Sequence, residues 1–536
     1  MKSKKIISLT LVSILILALL VGCGKRVDKV EEPQTPKEDV VEKGATKKDG
    51  GTIIFPIGSD PNVLNPLYAG DRVTMTINNA LYAPLYFLDS DGIDFYLSES
   101  VTPSEDFLTY TVKLKDGLKW HDGEAITADD IVFTIESLLN PEQNSHLRDA
   151  FVINGTPIEI SKVDELTAEF KLPEVSVPFM NSLGGIRPIP KHIFEGESNL
   201  AQSTKNTAPI GSGAFKFKDS KPGELVELVR FDDYFDGKAN LESVVYRVIA
   251  DPNSANIALQ SGELSARYLD ASDAQKFASD ENLNIITFNE GMLNNMIFNL
   301  NNEDLKSLDV RRAIAYGINK AQVIEGAYLS EDYATKADSI FVPITMFHTD
   351  KVEKYDFNVD TAKELLEKAG VDNLKLKLAY INGTKSQESQ AIVMQQNLKD
   401  IGIDLEILAM ERGAFYEKLL DPANKDFDLA YNGYVMGLEP NGYRPLFMTG
   451  NMNNFMKYSN TELDDMWAKG VVETDPTKRQ EIYENIQEQI MEDMVLYPIA
   501  YLKSIVAMNR SFGGTEEAQP APIFMFRDLS KLYMFE

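Results

Sequence analysis

The chain has 536 residues and a formal net charge of −29, from 53 Lys and Arg against 82 Asp and Glu. So acidic a chain repels phosphate backbones, which argues against nucleic acid as a partner, and its length exceeds what one compact core ordinarily holds, so at least two lobes are expected. With a single Cys there is neither an intramolecular disulfide nor a Cys-based metal site.

In chain order, the first element is an address. Lys2, Lys4 and Lys5 precede an uncharged, Leu- and Ile-rich run from Ile6 to Gly22, the pattern of an export signal. Leu20-Val21-Gly22-Cys23 resembles the bacterial lipobox, in which small residues admit the signal peptidase and the next cysteine thiol is acylated. The expectation is a signal peptide over 1–22, a mature chain that starts at lipidated Cys23, and anchorage at the outer face of the cytoplasmic membrane by its acyl chains. Residues 23–50, with balanced charges, Pro33, Pro36 and a closing Asp49-Gly50-Gly51, then read as a flexible tether.

The body alternates strand-like and helix-like stretches. Leu108, Tyr110, Val112 and Leu114 point one way with Thr and Lys between them, and Ile403, Leu405, Ile407 and Ala409 repeat the pattern, each predicting a half-buried strand. Asp89, Asp91 and Asp94 around Gly92 suggest a calcium loop only faintly, and a hairpin turn is the better reading. Asp360-Thr361-Ala362-Lys363-Glu364 predicts a helix capped at Asp360, with a Thr361/Glu364 capping box and Gly370 as its stop. Ile482, Ile486, Ile490 and Met494 stack every fourth residue behind Asp475-Pro476, a cap followed by proline at the first helical position. The fold class is α/β.

A search for catalytic signatures returns nothing. The chain has no phosphate-binding glycine loop, no G-x-S-x-G elbow and no H-E-x-x-H, and His121, His146, His192 and His348 are far apart. No cofactor and no metal site is expected.

Several spaced segments resemble the extracytoplasmic solute-binding proteins of oligopeptide, dipeptide and nickel ABC importers. The densest runs from Leu108 to Phe133 and contains Asp116-Gly117, Trp120-His121-Asp122-Gly123 and Thr127-Ala128-Asp129-Asp130. Pro209-Ile-Gly-Ser-Gly-Ala-Phe215, Arg230 to Lys238, Asp309 to Lys320, Thr361 to Gly370 and Tyr497 to Tyr501 follow in the family's order. The resemblance covers nearly the whole body. It implies a two-lobed periplasmic-binding-protein fold of type II with an additional subdomain and a ligand cleft between the lobes. Lobe one would comprise 51–83, 206–287 and 506–536, the extra subdomain 84–205 and lobe two 288–505.

The implied function is capture of oligopeptides and their delivery to ABC import permease subunits by cleft closure, carried out by a monomer and not an enzyme. In peptide binders of this family a Gly-Trp-x-x-Asp segment lines the cleft, its carboxylate gripping the ligand's ammonium. Here Asn432-Gly433-Tyr434-Val435-Met436-Gly437-Leu438-Glu439 stands there. Tyr434 keeps the aromatic, Gly437 replaces the acid, and Glu439 is expected either to supply the charge or to be a solvated loop acid. Asn294 and Asn295 fall on the family's cleft-lining strand, where amides suit backbone recognition and where turn-forming Asn is the competing reading. The ligand-binding candidates are thus Tyr434, Gly437, Glu439, Asn432, Asn294 and Asn295. The departure at Gly437 keeps open a non-peptide solute such as a nickel chelate or a sugar-like molecule; an exported hydrolase and an adhesin or peptide receptor are the readings from other classes.

Overall fold

Side-chain alternation sets the first strand. In β1 (Thr52–Ile57), Ile53, Phe55 and Ile57 are buried while their neighbours are not, as a one-sided strand requires. The structure is a computed structural model, which describes residues 46–89 and 92–536. The export signal, Cys23, most of the tether and Asp91 lie outside the described residues. The helix α1 (Arg72–Leu81) follows, capped by Asp71, whose side chain accepts the Thr74 N–H. Next, β2 (Tyr86–Asp89) and β3 (Gly92–Phe95) pair antiparallel, Tyr86 opposite Phe95 and Asp89 opposite Gly92. This is the hairpin read from the Asp-Gly run, and Asp89 is taken by Arg527 through two contacts of 2.6 and 2.9 Å.

The strands β4 (Ser98–Pro103), β5 (Thr109–Leu114), β6 (Glu159–Lys162) and β7 (Thr167–Lys171) form an antiparallel sheet in the order β4-β5-β7-β6. In β5 Tyr110, Val112 and Leu114 are buried, on the face the alternation predicted. The helix α2 (Ala128–Leu139) starts at Thr127 with a full capping box to Asp130. A second sheet holds β8 (Phe215–Lys221), β9 (Leu225–Arg230) and β10 (Ser243–Val248), and β10 pairs in parallel with β1.

The turn Trp120-His121-Asp122-Gly123 binds these two regions together. The Gly211 N–H donates to His121 Nδ1 at 3.0 Å, and Nε2 lies 3.0 Å from the Gly213 carbonyl. A side chain at either glycine would meet backbone, since a Cβ on Gly211 would lie 2.0 Å from the Leu81 carbonyl oxygen and one on Gly213 2.3 Å from that of Ala80. The Gly-Ser-Gly spacing is therefore steric, and His121 is a core residue.

The largest sheet contains β11 (Ala266–Leu269), β12 (Leu283–Phe298), β13 (Ala334–Lys336), β14 (Lys375–Ile381), β15 (Asp404–Met410), β16 (Leu429–Val435) and β17 (Leu496–Asn509). Its order is β11-β17-β12-β16-β14-β15, with β13 on β17. The helices α3 (Leu308–Gly317), α4 (Val359–Ala369), α5 (Lys385–Asp400), α6 (Thr461–Val472) and α7 (Pro476–Asp493) pack with it. The cap of α7 is Asp475, as expected. The cap of α4 is not Asp360: Asn358 accepts the Thr361 N–H, so the helix starts one residue before Asp360, which becomes a first-turn acid at the positive end of the dipole. Gly370 ends α4 with φ of 68°. Ile403, just before β15, and Leu405 within it are buried, whereas Ala409 is exposed.

Two large apolar cores result, one built from 53–266 and 506–532, the other from 293–501. The strands β12 and β17 run through both: Leu293 to Phe298 and Leu496 to Tyr501 belong to the second core, Val506 and Met508 to the first, with Ile286 and Phe288 packed against it. This is the α/β two-lobed architecture. Among the described residues no helix is long and apolar enough to cross a membrane.

Candidate functional site

The strand β16 is held on one side by β12 in the register Met292–Val435 to Phe298–Leu429. On its other side the parallel pairing with β14 stops at Ala379 and Ala430, so the edge from Tyr431 onward has no strand beside it. Direction along that edge follows from antiparallel geometry. The Met436 N–H donates to the Gly291 carbonyl at 2.7 Å, so even-numbered residues turn their backbone groups toward β12 and odd-numbered ones turn away. Gly433 and Val435 therefore present N–H and C=O to the open edge. The Gly433 N–H is capped by its neighbour's side chain, Asn432 Oδ1 at 2.8 Å, and Asn432 Nδ2 donates to the Tyr434 hydroxyl at 3.1 Å. Burial pushes the Tyr434 phenol well above its ordinary range, so it stays a neutral donor and acceptor.

The same register sorts the other amides. Asn295 stands opposite Asn432, and Asn294 opposite Gly433, so the two neighbouring asparagines point to opposite faces of the sheet. Both are buried, and the Oδ1 of each has no hydrogen-bond partner among the described residues. Neither is a turn residue.

Past β16, Gly437 is exposed with nothing within 4 Å of where a Cβ would stand, and its carbonyl accepts from Thr345 Oγ1 at 2.9 Å. Glu439 is not solvated. It caps the turn Pro440–Tyr443, Oε1 accepting the Asn441 N–H at 3.0 Å, and the same oxygen lies 2.6 Å from Arg479 Nη2. Arg479 comes from the first turn of α7, donates through Nε to the Gly470 carbonyl at 2.9 Å, and lies over the Tyr483 and Phe347 rings. The carboxylate expected to offer charge to a ligand is already neutralised by a buried guanidinium.

Gly437 and Glu439 line a cavity of about 540 Å³, together with Arg444 and Val472 on one wall and Asp149, Glu174 and Phe179, from the region of the β4–β7 sheet, on the other. The walls touch where the Val177 N–H donates to the Val471 carbonyl at 2.9 Å. Of the candidates from sequence, Gly437 and Glu439 share this cavity, Asn432 and Tyr434 share the strand edge beside it, and Asn294 and Asn295 lie in the sheet behind. Arg479 was missed, although a cation in the first turn of a helix opposes the dipole and so signals a specific partner. Asp149, Glu174 and Arg444 carry no such signal.

Contacts also tie α1 to β12 and to the segment 523–527. Arg72, at the start of α1, is paired to Glu290 of β12 at 2.5 Å and lies over the Tyr268 ring. Thr76 and Asn79, one and two turns on, donate to the carbonyls of Ile523 and of Phe526 and Arg527.

The family model for bacterial extracellular solute-binding proteins, family 5 (middle region), matches residues 96–454. The chain belongs to this family. The crystal structure of the ABC transporter substrate-binding protein CtaP from Listeria monocytogenes is 46% identical, covers 91% of this chain and all of that one, and superimposes with a TM-score of 0.89. The oligopeptide-binding protein AppA of Bacillus subtilis is 29% identical over 503 residues, 88% of this chain and 90% of that protein. Its structure in complex with a nonapeptide, covering 92% of this chain and all of that one, gives a TM-score of 0.74 at 27% identity. The family 5 assignment places the protein outside the cytoplasm as a binder of solute.

Proposed function

We propose that this family 5 protein captures oligopeptides and hands them to an ABC import permease by closing its two lobes over the ligand. The observation that carries the reading is the open edge of β16. An extended peptide adds to such an edge through main-chain hydrogen bonds, which are indifferent to side-chain identity. The adjoining cavity leaves room for side chains and water. On this reading a peptide carbonyl displaces Asn432 Oδ1 from the Gly433 N–H, Val435 supplies a further donor and acceptor, Tyr434 covers the strand, and Glu439 shapes the cavity rim through Arg479 without gripping the ammonium itself.

The two apolar cores act as the lobes, with the β4–β7 region as the added subdomain and the β12 and β17 crossings as hinges. A ligand touching both lobes favours the closed state by the difference of its affinities for closed and open forms, and only that difference drives closure. The protein acts as a monomer, tethered to the outer face of the membrane through acylated Cys23, and leaves its ligand chemically intact.

The test is native mass spectrometry of the protein purified from its host. Intact co-purifying peptides of mixed sequence are the expected result. A metal chelate or sugar in their place, or trimmed peptides in solution, overturns the proposal. For the anchor, Cys23→Ala is expected to release the protein from the membrane fraction, and a variant that stays membrane-associated after signal processing would defeat it.

A further inference from the structure

Beside the β2–β3 hairpin lies a cavity of about 150 Å³ that peptide capture does not use. Its lining comes from three stretches: 94–96 at the end of the hairpin, 234–236 in the turn after β9, and 517–531 near the C-terminus. All three belong to the side of the first core, and no residue of 293–501 reaches the cavity. It is therefore not part of the space between the two cores.

Charge is unbalanced there. Four carboxylates, of Asp94, Asp236, Glu517 and Asp528, share one lining ammonium, Lys531, which lies 2.5 Å from Asp236 and 3.8 Å from Asp528. The side chains of Asp94 and Glu517 have no ion-pair or hydrogen-bond partner among the described residues. Burial, joined by the charges of Asp89 and Asp528 and opposed by that of Arg527, raises the Asp94 carboxyl above its ordinary range, as happens to an acid short of a cation.

Two phenols share the deficit. Tyr96 and Tyr234 are 9% and 7% exposed, yet neither hydroxyl has a hydrogen-bond partner among the described residues, whereas a buried phenol ordinarily finds one. Burial, followed by the charge of Asp528 and then those of Asp94 and Asp236, holds both phenols far above their ordinary range, so both stay neutral. Those acids line the cavity, and the unmet hydroxyls face it with them. The Tyr234 and Tyr96 rings lie 4.4 and 6.5 Å from that of Phe235. One ammonium already rests on this aromatic group: Lys115 Nζ stands 4.9 Å from the centre of the Phe235 ring and donates to the Phe95 carbonyl at 2.8 Å.

Aromatic faces, unspent phenol oxygens and an unpaired carboxylate suit an ammonium or a guanidinium, which bring several N–H donors and a charge to a ring. A metal ion suits them less, since among the described residues no three acidic side chains converge to hold one. The C-terminal wall is set in advance. The Asp528 N–H donates to the Ala518 carbonyl at 3.0 Å and the Arg527 N–H to that of Gln519 at 2.9 Å, while Gln519, Ile523 and Met525 have φ of 53°, 70° and 69°, strained values that persist only where the surroundings impose them.

We infer that this cavity is a second binding site, for a small organic cation whose primary ammonium or guanidinium head is held by Asp94 and by the Tyr96 and Tyr234 hydroxyls among the aromatic rings. It stands apart from the edge of β16 and does not depend on the peptide reading.

The probes are n-butylammonium chloride and methylguanidinium chloride, titrated into the full-length protein by calorimetry at constant ionic strength, with potassium chloride as the control. At least one probe is expected to saturate a single site with a Kd of about 1 mM or below, and the tighter of the two names the head group. Asp94→Asn is expected to weaken it about tenfold. Replacing both phenols, Tyr96→Phe with Tyr234→Phe, keeps the rings and is expected to weaken it roughly threefold to fivefold. No saturation by either probe overturns the inference, as does equal affinity in Asp94→Asn, which would place the cation elsewhere. Heat that potassium reproduces overturns it too, because that is screening of an acidic surface. Should Asp94→Asn fail to fold, Glu517→Lys, at an exposed position, sets an ammonium at the cavity itself: loss of binding supports the site, and binding that persists overturns it. None of these failures touches the peptide reading.

Discussion

Arg479 Nη2 lies 2.6 Å from Glu439 Oε1 with side-chain exposures of 5% and 10%, joining the first turn of α7 to the rim of the 540 Å³ cavity. Removing one member strands the other's charge away from water, a loss of about 3–5 kcal/mol. Arg479→Met and Glu439→Leu are each expected to lower the free energy of unfolding, read from chemical denaturation, by that amount, and the double variant to recover most of it, because an apolar pair carries no desolvation cost. A double variant no better than the worse single one would show that the pair acts through geometry and not charge.

His121 makes the fold sensitive to acid. Its Nδ1 accepts the Gly211 N–H, so protonation there sets two hydrogens against each other, and burial lowers its pKa to about 4 from the ordinary value near 6.5. The unfolded chain therefore binds a proton between those two values that the folded one refuses, and stability falls as pH drops through that window. At about 1.4 kcal/mol per unit, the loss by pH 4 is roughly 3 kcal/mol. Comparing denaturation of the unchanged protein with His121→Asn at pH 7 and pH 4.5 isolates this share. The expected result is that the variant is weaker at pH 7 and that the gap narrows in acid.

Gly291 sits at the irregularity in β12 between Asn289 and Met292, with φ of 70°, and a Cβ there would lie 2.5 Å from the Met436 carbonyl oxygen. The contact is backbone, so it does not relax by a rotamer change. Gly291→Ala is expected to cost about 2–4 kcal/mol through strain and displacement and to weaken ligand binding in parallel, since Met436 fixes the outer end of β16. Thermal melting and peptide calorimetry on one preparation check both parts.

How much of the fold and site is legible in the sequence depends on the range of the interaction. The strand at Thr109–Leu114 and the cap at Asp475 are local, and period and spacing are enough to find them. Even there, Asn358 outcompetes Asp360 as the α4 cap, because both are good cap residues and only the chain's entry into the helix chooses between them. That Asn294 and Asn295 face opposite ways follows from the period of two. The union of Glu439 with Arg479 does not: the partners are forty residues apart, and their meeting depends on how α7 packs. The strain at Ile523 and Met525 is likewise invisible, since neither residue type advertises a positive φ.

The open edge of β16 leads to the sharpest test of the binding mode. Val435 pairs opposite Met292, and by the alternation fixed at Met436 its N–H points away from β12, into space that no strand occupies. Proline there removes that donor and nothing the sheet uses, and edge positions tolerate it. Val435→Pro is therefore expected to melt within a few degrees of the unchanged protein, while peptide affinity drops by roughly the worth of one hydrogen bond, about 1 kcal/mol or some fivefold. Val435→Ala, which keeps the N–H, is expected to bind like the unchanged protein. If proline and alanine weaken binding equally, the side chain is what the ligand touches, and main-chain addition to this edge must be abandoned. If proline unfolds the protein, N-to-ester replacement of the Val435 amide by semisynthesis deletes the same hydrogen without fixing φ, and unaltered affinity in that protein rules out main-chain addition just as firmly.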